Sequence, residues 1–148
     1  MESLIRFIVL AHKNGYGNPN VKKIKISNSG KKIKFEKGNF AYEDLYEGTN
    51  LFWGQEKIFY KKNLVWMMNY YGKCELETKQ EKIYAFLKNA LINCTYDSPF
   101  RGPKKFEEGG LGYFSHALGD LTSFRGSEKI LEDGNEVYIG VFLGGLVR

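Results

Sequence analysis

Phe52-Trp53-Gly54-Gln55-Glu56-Lys57-Ile58 returns, 72 positions later, as Phe124-Arg125-Gly126-Ser127-Glu128-Lys129-Ile130. The match runs on without a gap: Asn63 answers Asn135, Val65 answers Val137 and Gly72 answers Gly144, with aromatic pairs at Trp66/Tyr138 and Tyr70/Phe142. Eight of the 21 positions in 52–72 and 124–144 are identical. Within each copy the side chains alternate with the period of two that a strand requires. A helical stretch precedes each copy, so the expected fold class is α+β: two helices packed on an antiparallel, internally duplicated β-sheet with pseudo-twofold symmetry. Chance likeness among glycine-turn strands is the alternative explanation. Neither half, 1–73 or 74–148, covers its own apolar sheet face. The expectation is one domain over 1–148, with a cleft where the halves meet.

Around this repeat the remaining elements are read from periodicity. Leu4, Phe7, Ile8 and Ala11 share one face of a helix over 3–14, with Ser3 as cap and Gly15 at the left-handed end position. A second helix over 79–93 carries Ile83, Phe86, Leu87, Ala90, Leu91 and Cys94 at the 3.6-residue period behind a Thr78–Glu81 capping box. Lys22–Ile26 and Lys32–Phe35 flank Ser27-Asn28-Ser29-Gly30 as a hairpin. Further strands are expected at 40–46, 55–60, 64–71, 111–117, 121–131 and 136–143.

The chain has 148 residues, enough for one core, and is 43% hydrophobic and 26% charged, which excludes a disordered tail. No stretch approaches the roughly 20 apolar residues of a membrane helix. The apolar start carries Arg6 and lacks a basic leader and a small-residue cleavage site, so no signal peptide is expected. Cys74 and Cys94 then read as reduced thiols, and the expected location is cytoplasmic. Net charge is +5, and seven lysines fall within the sixteen positions 22–37. That strip suits either a solvated sheet edge or a contact with nucleic acid.

Candidate site residues follow from strand alternation. Ile58 and Ile130 point inward, so Glu56 and Glu128 share their face, which is costly for a carboxylate without a partner. They are expected either as buried hydrogen-bond hubs or as an acid–base pair near the pseudo-axis. Tyr42, Asp44 and Tyr46 alternate into a polar-aromatic face that an ordinary core strand avoids. Trp66, Met68 and Tyr70 form one side of a strand that is either core or a wall for a planar ligand, with Asn69 on the other side. Arg101, between Phe100 and Gly102-Pro103, is placed to clamp a carboxylate or phosphate, or to pin its loop to a glutamate. His12 and His116 have no accompanying serine elbow or ligand set, so no metal or cofactor is expected.

The string Tyr42-x-Asp44-x-Tyr46-x-Gly48, Phe52-x-Gly54-x-Glu56, Trp66-x-Met68-Asn69-Tyr70-x-Gly72 and Phe100-Arg101-Gly102-Pro103 resembles a bacterial family, domain of unknown function 5680. The likeness continues through Gly119-Asp120, Phe124-x-Gly126-x-Glu128-x-Ile130, Gly134, Val137-Tyr138 and Phe142-x-Gly144-Gly145. Members resemble stand-alone proteins or domains attached behind a repressor-type helix-turn-helix, which implies a sensor or effector-binding role. Leu143 stands where a histidine often precedes the two glycines in that family.

The functional expectation is a small ligand-binding or sensor-type domain with a cleft lined by aromatic and acidic residues. Tyr42, Asp44, Tyr46, Glu56, Asn69, Tyr70, Arg101 and Glu128 are its candidate ligand-binding residues. Two alternatives stand beside it: an enzyme using Glu56 and Glu128 for acid–base chemistry, and nucleic-acid binding through the 22–37 hairpin.

Overall fold

A computed structural model describes residues 1–148. Helix α1 spans Glu2–Lys13 and α2 spans Gln80–Leu91. The strands are β1 (Ile24–Lys25), β2 (Lys31–Lys37), β3 (Phe40–Gly48), β4 (Leu51–Tyr60), β5 (Asn63–Cys74), β6 (Lys105–Glu108), β7 (Leu111–Asp120), β8 (Ser123–Glu132) and β9 (Asn135–Leu146). They form one antiparallel sheet in the order β1-β2-β3-β4-β5-β9-β8-β7-β6. The fold is therefore α+β, with each helix leading into a meander and the two meanders joined along β5 and β9. No helix is long and apolar enough to cross a membrane.

Glycine and aromatic side chains explain why the motif repeats as it does. Gly54 pairs with Tyr70 and Gly72 with Phe52, and a Cβ on either glycine would strike its partner's ring. Gly126 stands in the same relation to Phe142, and Gly144 to Phe124. Each ring occupies the space over the glycine opposite, so the aromatic-x-Gly spacing sets the register as well as the packing. The register shifts between Ile58 and Phe59 in one meander and between Ile130 and Leu131 in the other. Gly48 and Gly119 take positive φ, 106° and 95°, where the β3–β4 and β7–β8 hairpins turn.

One face of the sheet carries both helices. Leu4, Phe7, Ile8 and Ala11 of α1 pack on Ile33, Tyr42, Ile58, Trp66 and Met68. Ile83, Phe86, Leu87, Ala90 and Leu91 of α2 pack on Leu111, Tyr113, Ile130, Val137 and Tyr138. The opposite face is open to solvent and exposes Trp53, Tyr71, Val141 and Leu143.

Several local expectations are corrected. The Thr78–Glu81 capping box does not form: a 3-10 turn over Glu77–Lys79 runs into α2, whose N-cap, Lys79, makes no side-chain cap. Ser3 lies inside α1 rather than capping it, because the helix begins one residue earlier. Gly15 does not adopt positive φ, and the Asn14 side chain instead donates from Nδ2 to Leu10 O at 2.9 Å. The short strand β6 falls in a stretch the alternation left unassigned. Its four residues pair only with β7, and three of them are exposed, so the burial signal is weak.

Candidate functional site

Strand register sets Asp44 of β3 directly opposite Glu56 of β4, both buried on the covered face. Side chains of directly opposed residues start only about 5 Å apart, so two dry carboxylates would repel strongly. One imidazole and one phenol relieve that conflict. His12, carried into the core by α1, has Nε2 2.7 Å from Glu56 Oε2, and Nδ1 lies 3.5 Å from Cys94 Sγ. Burial alone would push the imidazole down, but the Glu56 charge and the hydrogen bonds to Cys94 and Glu56 outweigh it and lift His12 to about 10. Protonated His12 therefore donates to Glu56. Tyr70 Oη donates to Asp44 Oδ1 at 2.7 Å. Burial, then the Glu56 charge, raise Asp44 to about 7 against the opposing pull of Tyr70, Arg101 and His12.

Glu128 has an equally complete shell from different residues. Arg101 donates from Nη2 at 2.9 Å and from Nε at 3.4 Å, Tyr113 Oη at 2.6 Å and Tyr138 Oη at 2.7 Å. Burial raises this carboxyl, but the guanidinium and the two tyrosine hydroxyls together hold it below the usual carboxylate range. Arg101 is itself buried, and its guanidinium carbon lies 4.2 Å from the Tyr70 ring centroid. Arg101 thus joins the two carboxylate clusters through Tyr70.

The repeated glutamates make no direct contact with one another. Glu56 and Glu128 lie three strands apart in the sheet and four positions apart in register. By ordinary strand spacing and rise that is about 20 Å between their Cα atoms. The two glutamates take different partners: Glu56 belongs with His12 and Asp44, and Glu128 with Arg101. Each of the two inward glutamates is matched by a basic group from outside the sheet, as its burial requires.

A cavity of about 230 Å³ opens between α2, the segment before β1 and the sheet. Its apolar lining is Tyr16, Tyr46, Phe52, Tyr70 and Tyr84, and its charged lining is Lys23, Lys88 and Arg101. Beneath it a hollow of about 20 Å³ is lined by His12, Tyr42, Asp44 and Glu56, with Tyr16 and Arg101 shared between the two. Of the candidate residues, Tyr46, Tyr70 and Arg101 reach the larger space, and Tyr42, Asp44 and Glu56 reach only the smaller. Glu128 lies behind Arg101. Asn69 is on the solvent face, where it accepts from Gln55 Nε2 at 2.8 Å. The lining of the larger cavity is aromatic, and its charged side chains are basic.

Tyr16, Lys23, Tyr84 and Lys88 were not singled out as site residues from the sequence. Part of the signal was present: Gln80, Tyr84 and Lys88 recur at intervals of four on α2 and so share one helix face. His12 was set aside for want of a partner set, because Glu56 and Cys94 are 44 and 82 residues away. No group of three or more His, Cys, Asp or Glu is arranged to hold a metal ion.

No curated protein and no solved structure matches the chain. A family model does, over residues 44–147, and its description is domain of unknown function (DUF5680). The matched span begins at Asp44, the carboxyl that receives the Tyr70 hydroxyl, and contains Glu56, Tyr70, Arg101 and Glu128. With well over half of its length matched, the chain belongs to the DUF5680 family.

Proposed function

We propose that this domain binds a small molecule in the cavity between α2 and the sheet, as a ligand-binding or sensor-type module. The observation that carries the reading is a concave, ring-lined space of about 230 Å³ beside the buried His12–Glu56, Tyr70–Asp44 and Arg101–Glu128 contacts. That volume lies below the range of roughly 300–1,000 Å³ typical of drug-sized ligands, so the ligand is small. The buried network holds Tyr70 and Arg101 in fixed positions on the wall, which lowers the ordering cost of binding. The shared meander order, the matching register shifts and the paired hairpin glycines also support descent of the two halves from one duplicated unit.

Acid–base catalysis by Glu56 and Glu128 is disfavoured because each carboxylate is already engaged, by His12 and by Arg101, Tyr113 and Tyr138. Nucleic-acid binding through the 22–37 hairpin is weakened because Lys32 and Lys34 both face Glu43, at 3.5 and 3.8 Å.

The test is a screen of small planar metabolites, read by melting temperature and by the ring resonances of Tyr16, Tyr46, Tyr70 and Tyr84. The reading expects at least one compound to raise the melting temperature and move those resonances together. A screen in which no compound shifts either would remove it.

A further inference from the structure

Lys23, just before β1, and Lys88, on α2, face the same aromatic ring. Their Nζ atoms lie 5.0 and 5.1 Å from the Tyr16 centroid. Both lysines are half-buried and both line the cavity. The carboxylates that form ion pairs elsewhere in the protein take other partners: Glu2, Glu43, Glu56, Glu75, Asp97, Glu107, Glu128 and Glu132 each meet a basic group that is neither Lys23 nor Lys88. No acidic side chain lines the cavity. Asp44 is the carboxyl below it, but it sits in the smaller hollow and receives the Tyr70 hydroxyl.

Two ammonium groups held close together, half out of water and without a counter-charge, are unfavourable unless something compensates. The Tyr16 ring supplies part of that compensation through its electron-rich face. The remainder corresponds to a negative charge that would enter with a ligand. The rings of Phe52, Tyr70 and Tyr84 line the rest of the wall and suit a flat body. The space of about 230 Å³, roughly seven or eight waters at about 30 Å³ each, accommodates a body of about one ring.

We propose that the cavity is an anion site for a small ligand with one planar ring and one carboxylate or phosphate group. The anionic group lies between Lys23 and Lys88, and the ring lies against the aromatic wall. This inference rests on the reading of the cavity as a ligand site and adds the charge and shape of what it takes. The crowding has an electrostatic signature that agrees with it. Burial, then the charge of Lys88 and its side-chain contact, with a further push from Lys31, lower Lys23 to about 8, while Asp44 opposes them. A bound anion would relieve this.

The experiment titrates the full chain at low salt with benzoate, phenylphosphate, inorganic phosphate and neutral benzyl alcohol, read by calorimetry and by the tyrosine ring resonances. Benzoate or phenylphosphate is expected to bind at least about tenfold tighter than benzyl alcohol, the advantage of one charge-assisted contact. Added sodium chloride should weaken the anions and leave benzyl alcohol unchanged. Lys88→Met and, separately, Lys23→Met should each lower anion affinity by about tenfold while leaving the melting temperature close to wild type. The preferred aromatic anion identifies the charged group as carboxylate or phosphate, and either outcome supports the site. Inorganic phosphate binding as tightly as phenylphosphate would overturn the ring requirement. Benzyl alcohol matching both aromatic anions, or unchanged anion affinity in both lysine variants, would overturn the anion site and leave the ligand-binding reading standing. If no probe, charged or neutral, moved a tyrosine resonance, both would fall.

Discussion

His12 Nε2 lies 2.7 Å from Glu56 Oε2, a contact that ties the first helix to the centre of the sheet across 44 residues of chain. Both groups are almost wholly buried, so each is the other's main source of charge compensation. His12→Leu should therefore cost about 3–5 kcal/mol, because it strands Glu56 in the core. The double variant His12→Leu/Glu56→Leu should recover most of that loss. Urea unfolding measures both, and a single variant losing less than about 1 kcal/mol would contradict the pairing.

The same cluster dictates how stability changes with pH. Asp44 is raised from 3.8 to about 7, so the folded protein holds a proton there that the unfolded chain releases. Stability should fall as pH rises between those two values. His12 is raised from 6.5 to about 10, and its contribution, complete below 6.5, is lost as pH climbs towards 10. Glu128 acts in the opposite sense: its lowered value makes its contribution present above 4.5 and lost as pH falls below that. Urea midpoints from pH 3 to 10 should thus pass through a maximum on the acid side of neutrality. Asp44→Asn should flatten the decline between about 4 and 7, since asparagine still accepts from Tyr70 without ionising. An unchanged slope in that variant would show that Asp44 is not the titrating group.

Arg101 and Glu128 form the second charge pair, and a change of cation there is not conservative. Lysine keeps the charge but cannot make two contacts to Glu128 while lying over the Tyr70 ring. Arg101→Lys should lower stability by about 1–3 kcal/mol and shift the Tyr70 ring resonance. A variant as stable as wild type would mean that the second contact and the ring stacking contribute nothing.

Gly54 links packing to the polar cluster. A methyl group there would strike the Tyr70 ring, whose hydroxyl donates to Asp44. Gly54→Ala should cost about 1–3 kcal/mol by overpacking and perturb the titration of Asp44. Gly126→Ala, opposite Phe142, should lose similar stability without touching that titration, since Phe142 has no hydroxyl. Carbon-13 labelled aspartate, titrated by NMR in both variants, separates the two effects. An equal change in both would reject the coupling through Tyr70.

The two helices, the basic hairpin, the strands bearing the repeat and the inward direction of Glu56 and Glu128 were all legible from residue order. Each depends on spacing along one strand or helix, where the periods of 2 and 3.6 act locally. The 3-10 entry to α2 was not, because a capping-box pair describes only one of several ways to begin a helix. Nor was β6, whose short, exposed stretch carries little hydrophobic alternation. Asn69 was named as a candidate although its alternation set it on the other side of the strand from Tyr70, and it lies on the open face.

The sequence by itself determined that two glutamates must enter the core and that aromatic-x-glycine spacing must recur at a distance of 72 residues. Only the tertiary structure decided which charges meet them. His12 reaches Glu56, and Arg101 reaches Glu128, from segments outside the sheet. Lys23 and Lys88 converge on Tyr16 only when the chain before β1 packs beside α2. Periodicity reports which way a side chain points, whereas a charge partner depends on which surfaces the chain brings together.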